Sequence, residues 1–251
     1  MLRAQISRLL PVTLKKRLRP LAVPLLYRLE QPRMSRFYAQ FVDRGDLVFD
    51  IGAAEGYHSE VFLALGANVV ALEPQPYCLG VLQRRFAGRA NVKVLAKGVS
   101  DADGELGFSI CEGDPEISTF AVAKWRSGRY AGRRWEPEVR IPVVTLDSLV
   151  AIHGRPEFVK IDVEGFEERV LRGLSSPLPA LSFEFNREFI ADVDACVEHV
   201  CALGPAHFNF SLYRRYALHS PTWLDRDELL TTLDNLPGEN MNGDIYVRSG
   251  G

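Results

Sequence analysis

Four apolar runs in this chain stop at or beside a carboxylate. Asp50 follows Leu47-Val48-Phe49, Glu73 follows Asn68 to Leu72, Asp162 follows Phe158 to Ile161, and Glu184 sits near the end of Leu181 to Phe185. One acid in such a place is ordinarily a helix cap or a turn residue. Four gathered on one edge would repel unless cations or hydroxyls separated them. Lys160, two residues before Asp162 and on the same face of an extended segment, is one available cation. An aliphatic hydroxyl used as a nucleophile near neutral pH needs a base or a metal. The candidates for that base are Asp162, Lys160, Glu164 and His58. Lys160 has a competing role as the neutraliser of its acidic neighbours, and Glu164 as an acid favoured at a helix N-terminus. His153, His199, His207 and His219 have no patterned partner.

Strand ends are what would bring these groups together. Leu47 to Gly56 reads LVFDIGAAEG, a short apolar strand running into a glycine-spaced turn. After it, Tyr57, Val61, Phe62 and Leu65 recur at helical spacing. Strand, glycine turn and helix let a backbone approach a nucleotide and aim a helix N-terminus at it. Glu73 ends the next strand about 20 residues on, where an acid can hold a ribose diol. Pro76 suits the first position of a helix reaching about residue 87. Further strands are expected over 91–96, 158–162 and 181–185, with helices over 164–174 and 189–203. Residues 105–110 and 139–145 read as partner strands, while 208–213 and 244–248 suggest an antiparallel edge. The alternation predicts an α/β fold: a doubly wound, mostly parallel Rossmann-like sheet with an antiparallel C-terminal edge and an N-terminal helical cap. In such a sheet ligands bind at the carboxyl ends of the strands.

The glycine turn separates two nucleotide readings. A dinucleotide fingerprint has Gly-x-Gly-x-x-Gly, whereas this chain has Asp50-x-Gly52-x-x-x-Gly56. That spacing disfavours a nicotinamide-dependent oxidoreductase. An acid before the first glycine suits a ligand carrying positive charge, and a sulfonium with a ribose diol would also relieve the crowding of acids.

The chain has 251 residues, 47% hydrophobic and 25% charged, as expected of a water-soluble globular protein. Its net charge of −2 gives no global reason to expect a nucleic-acid partner. Cys78, Cys111, Cys196 and Cys201 have neither zinc spacing nor the density of a secreted scaffold, which fits a reducing cytosol. No apolar run approaches the length needed to span a bilayer, and no signal peptide is evident. The division expected is an N-terminal helical segment over 1–44 and one domain over 45–251, with a lid-like insertion at 111–138.

Two segments stand apart. Residues 1–30 carry Arg3, Arg8, Lys15, Lys16, Arg17, Arg19 and Arg28 with interleaved leucines. They read as a basic helix pair broken by Pro11, Pro20 and Pro24, followed by a helix over 31–44. The segment is either a cap with its cations in water or a foothold for weak contact with an anionic membrane, which would put the protein at that membrane's inner face. The insertion carries Trp125, Arg126, Arg129, Tyr130, Arg133, Arg134 and Trp135, a set able to grip a sugar or a phosphorylated acceptor or else a solvated lid.

Three stretches of the second half carry a family likeness: Val144-Thr145-Leu146-Asp147-Ser148-Leu149, Phe158 to Glu167, and Val170-Leu171-Arg172-Gly173-Leu174. With the glycine turn and the Gly243-Asp244 ending, they resemble the FkbM-type methyltransferases of class I, which use S-adenosylmethionine. Gly98, Ala54 and His58 stand where alanine, asparagine and an aromatic ring are commoner. The resemblance implies O-methylation of a hydroxyl on a sugar, glycan or polyketide-type small molecule. It implies that Asp50, Gly52 and Gly56 shape the methionine end of the cofactor site, with Ala53 and Glu55 also among the cofactor-binding residues. Glu73 would hold the ribose, Ser100 and Asp101 would lie near the adenine, and Asp162 would sit beside the transferring methyl. A metal-free base is the primary reading, with no metal site assigned. The alternative is a divalent cation on Asp162, Glu184 and Asn186. A non-catalytic nucleotide-binding protein of the same fold is the other alternative.

Overall fold

A computed structural model describes residues 12–112, 117–127, 131–186, 189–237 and 242–250, with side chains from residue 24 onward. The centre is a seven-stranded sheet in the order β3-β2-β1-β7-β8-β10-β9. Its strands are β1 (Leu47–Ile51), β2 (Asn68–Leu72), β3 (Val92–Leu95), β7 (Phe158–Ile161), β8 (Ala180–Asn186), β9 (Ala206–Leu212) and β10 (Asn242–Ser249). From β3 to β8 all neighbours are parallel, and β10 pairs antiparallel with both β8 and β9. The expected mostly parallel sheet with an antiparallel C-terminal edge is therefore observed. Chain order reverses between β1 and β7, so the switch point lies where the glycine turn and Asp162 emerge.

Helices cover both faces, as a parallel sheet requires. On one face lie α1 (Val12–Tyr38), α2 (Tyr57–Leu65) and α3 (Pro76–Arg85). Their Met34, Tyr38, Phe62, Leu82 and neighbouring residues pack with Val48, Val69, Phe158 and Tyr246 of the sheet. The other face buries Phe49, Ile51, Val159, Ile161 and Phe183 against α5 (Leu146–His153), α6 (Glu167–Arg172), α7 (Ile190–Leu203) and α8 (Arg226–Asp234). Helix starts follow local chemistry: Pro76 opens α3 behind a Gln75 cap, Thr145 caps α5, and Asp225 with Glu228 forms a capping box on α8.

Two expectations need correction. The helix pair of the N-terminus, with its separate successor, is one continuous helix that runs through Pro20, Pro24 and Pro32. Proline removes a donor and crowds the preceding turn, but the burial of Met34, Phe37 and Tyr38 against the domain anchors the later part of α1 in one piece. Residues 1–11 lie outside the described residues. The partner strands expected in the middle of the chain do pair with each other, antiparallel and outside the main sheet. β4 (Gly98–Val99), β5 (Gly104–Phe108) and β6 (Val139–Val144) form a separate three-stranded sheet in the order β4-β6-β5.

The insertion is the second correction. It holds a short helix, α4 (Val122–Ser127), whose Trp125 is fully buried and donates from its indole to the Glu164 carbonyl. Trp125 is thus a strut under the loop after β7 and not a gripping ring; Arg129 and Tyr130 lie outside the described residues. Among the described residues no helix is long and apolar enough to cross a membrane.

Candidate active site

A cavity of about 210 Å³ opens at the carboxyl edge of the sheet, over the switch point. Its floor is made by two backbone loops in close contact. Gly52, at φ +79, leaves β1 so near the loop after β7 that a Cβ there would lie 1.9 Å from the Asp162 carbonyl oxygen. Only glycine meets both demands. Ala54 and Glu164 also hold left-handed backbone, at φ 48 and 56. Such strain persists where surrounding structure over-determines it. The restraints are visible: Ala54 N–H donates to Glu73 at 2.7 Å, and the Glu164 carbonyl accepts from Thr119 and Trp125. Glu167, at the start of α6, takes the N–H groups of Val163 and Gly165 and shapes the loop from inside.

At one end of the cavity stands Glu73, 5% exposed, whose second oxygen accepts from Gln75 N–H. Burial, partly offset by these two hydrogen bonds, pushes its pKa up to about 7. Pro74, Lys97, Gly98, Val99 and Phe120 complete that end. A Cβ on Gly98 would stand 2.5 Å from the Phe120 ring, so a larger residue there would need that ring to shift.

At the other end four carboxylates meet. Asp162, Glu164 and Glu184 each offer an oxygen within 4.8 Å of the others. Asp244, register partner of Glu184 on β10, lines the same wall. Glu184 therefore points to the same side as Asp162. Lys160 lies beneath them, 1% exposed, with Nζ 2.7 Å from Asp162. Burial opposes its charge, but the fields of Asp162, Asp244 and Asp50 outweigh burial and raise its pKa well above the lysine norm. The charged form of Lys160 is thus favoured, in keeping with its role as the neutraliser of its acidic neighbours. Burial and the neighbouring Glu164 and Asp162 push Glu184 well up, while burial raises Asp244 to about 6 against the pull of Lys160. His58 lines the cavity with its ring edge against Tyr38; burial and the cations Lys160 and Arg214 lower it well below 6.5.

The four proposed base candidates thus line one cavity, as do Gly52, Ala53 and Glu73. Asp50 and Gly56 lie behind the surface. Asp50 is buried and accepts from Ser59, and Gly56, at φ 82, leaves room for Leu82 and Phe86. Glu55 accepts from the Tyr57 hydroxyl outside the lining. Ser100 and Asp101 are also outside it. β4 pairs with β6, Ser100 N–H bonds Val144, and Asp101 is turned to the Ser100 hydroxyl and Arg169. Asn186 lines a different, smaller pocket and is replaced by Glu164 in the acidic trio.

Four residues that sequence reasoning did not assign also face the cavity: Asp244, Arg214, Tyr216 and Tyr27. Only Asp244 carried a signal, in the Gly-Asp ending. Arg214 and Tyr216 sit on left-handed backbone, φ 57 and 49, in the loop after β9. Arg214 forms a two-pronged ion pair with Glu30 of α1 and stacks over Tyr27, which itself lies flat on Tyr57 at 3.8 Å. This stack walls the acidic end of the cavity.

A glycine turn at a topological switch point, with a buried acid after β2, defines a Rossmann-like α/β protein, in which ligands bind at this edge of the sheet. The methyltransferase FkbM domain model matches residues 50–200, and the chain belongs to that family. The hexuronic acid methyltransferase AglP of Haloferax volcanii is 28% identical over 155 residues, which cover 59% of this chain. The chain spans only 58% of that relative's length. In fold it is similar to an rRNA methylase from Streptococcus thermophilus, at TM-score 0.44 and 14% identity over 86% of this chain and 93% of that one. It is likewise similar to an O-methyltransferase from Bacillus cereus, at TM-score 0.44 and 11% identity over 90% and 81% of the two chains.

Proposed function

We propose that the chain transfers a methyl group from S-adenosylmethionine to a hydroxyl of a sugar, glycan or polyketide-type acceptor. The observation that carries this is the polarity of one cavity: a buried acid, Glu73, at one end and a lysine-clamped carboxylate cluster at the other. The residues fit the cofactor. Gly52 and Ala53 line the cavity at the turn after β1, and Glu73 keeps lone pairs for ribose hydroxyls beyond its two backbone bonds. When bound, S-adenosylmethionine supplies a methyl group on a sulfonium, which leaves as a neutral thioether.

The chain's own residues then have two tasks, holding the acceptor oxygen in line and taking its proton. Asp162, oriented by Lys160, is the assigned base: its carboxylate accepts the hydroxyl proton as the oxygen forms its bond to carbon. Lys160 holds that carboxylate in place. Burial and the neighbouring carboxylates favour the neutral form of Glu184, which in that form can donate a hydrogen bond to a second acceptor oxygen. Neutral His58 accepts one. The test is transfer of a labelled methyl group to a panel of glycans and lipid-linked sugars. Asp162→Asn is expected to lower kcat by about 10²–10⁴ with cofactor affinity retained; unchanged turnover would remove Asp162 from this role.

A metal-assisted variant has one observation in its favour. Three carboxylates within 4.8 Å are a donor set for a hard divalent cation, with Asp162, Glu164 and Glu184 as the holders. Full activity after exhaustive chelation would exclude it. Calorimetric titration with S-adenosylmethionine and with a nicotinamide dinucleotide separates methyl transfer from the oxidoreductase reading. Turnover with an acceptor separates it from a binding protein without catalysis.

A further inference from the structure

The inner face of α1 belongs to the cavity wall, through Tyr27 and Glu30, whereas its outer face has no cover among the described residues. Leu25 and Leu29, one turn apart, are 59% and 68% exposed. At 3.6 residues per turn, Pro32 and Arg36 continue their stripe, and Arg28 and Arg33 fall on either side of it. Arg28, Arg33 and Arg36 are all exposed. In sequence, leucines recur upstream at the same spacing, at positions 21, 18 and 14.

Charge along the chain is as uneven as hydropathy along this helix. Residues 1–36 contain nine lysines and arginines and a single acid, Glu30, in a chain of net charge −2, which leaves −10 for residues 37–251. An anionic surface would repel the domain and attract this one helix. A row of cations alone would also suit RNA. Solvent-exposed leucines among the cations gain nothing from a phosphate backbone, but they gain from insertion among acyl chains.

We propose that the outer face of α1 docks on an anionic lipid membrane, with Leu25 and Leu29 entering the interface and Arg28 and Arg36 meeting lipid phosphates, while Arg33 donates back to the Arg215 carbonyl of the domain. Because Tyr27 and Glu30 lie on the opposite side of the same two turns, docking holds the acceptor end of the cavity within a helix diameter of the surface. On the methyl-transfer reading above, the acceptor that such an arrangement serves is a lipid-anchored sugar.

Flotation of the full chain with vesicles tests the docking without any turnover. Vesicles of phosphatidylcholine alone are compared with phosphatidylcholine mixed with phosphatidylglycerol, at low and high NaCl. Binding to the anionic vesicles only, weakened by salt, is expected. Leu25→Ser with Leu29→Ser should weaken it at least about tenfold, and Arg28→Ala with Arg36→Ala on the order of thirtyfold. These side chains are exposed, so both variants should keep the wild-type Tm, which is measured alongside. No flotation with anionic vesicles, or equal flotation of the leucine variant, overturns the proposal. So does retardation of RNA by a chain that ignores vesicles. If methyl transfer is also observed, the leucine variant should lose activity on a vesicle-borne acceptor and keep it on a soluble one.

Discussion

Replacing Lys160 by methionine is the sharpest test of how the acidic end is held. Methionine preserves most of the stem's volume and removes the cation. Lys160 is 1% exposed and bonded to Asp162 at 2.7 Å, and Asp50 and Asp244 act on it through space. Without it three carboxylates share a site with no buried cation. Breaking a buried pair by removing one partner costs about 3–5 kcal/mol. Asp162 is 34% exposed, so water screens its share, and the lower figure of about 3 kcal/mol is expected.

The pH dependence gives the sign. In the wild type, the raised Lys160 pKa means its stabilisation is fully present below the ordinary lysine pKa and is lost only as pH rises beyond it. In the variant, Asp50 and Asp244, already raised by burial, rise further once Lys160 no longer opposes that effect. A carboxylate with a raised folded pKa favours folding at low pH and gives up that advantage as pH climbs through its folded pKa. Urea unfolding at pH 8 and pH 5, followed by tryptophan fluorescence, should therefore show the larger deficit at pH 8. A deficit below about 1 kcal/mol, or one equal at both pH values, would refute the buried-cation account.

Other outcomes follow from the same geometry. Because the Glu73 pKa is raised to about 7 by burial, and a diol donates best to the ionised form, S-adenosylmethionine affinity should rise between pH 6 and 8. Glu73→Gln should weaken binding by about 1.5–3 kcal/mol and flatten that slope in calorimetry; glutamine is preferred to alanine because Glu73 also holds the N–H groups of Ala54 and Gln75. Glu167, likewise raised to about 7 by burial, loses stability for the fold as pH rises from about 4.5 to 7. Glu167→Gln should remove on the order of 3 kcal/mol of that pH dependence, read as Tm against pH; an unchanged profile would exclude it. Gly52→Ala should cost more than the roughly 1–2 kcal/mol of a left-handed residue, since its Cβ also meets the Asp162 carbonyl. An unaltered Tm would contradict that close approach.

The sequence by itself determined the elements and their chemistry at strand ends. Periodicity and the glycine turn are local, so β1, β2, β7 and β8 could be read from the burial each run demands. The face shared by Lys160 and Asp162 follows from the period of a strand. The parallel sheet followed from alternation with helices, and α3 from Pro76. The likeness spread over residues 46–186 pointed to the family.

Tertiary structure decided the rest, because it depends on which distant segments return to the same edge. Whether Glu184 faced Asp162 was open until β8 was set in register with β7. Asp244 arrives on an antiparallel strand from the chain's last ten residues, and Arg214 on a loop whose left-handed backbone no local pattern announces. Tyr27 reaches the cavity because α1 ignores its prolines, a case in which packing overrides propensity. β4 turned Ser100 and Asp101 away by choosing β6 as its partner. A strand's own residues set its period and its end; pairing across the sheet sets which of those ends become one site.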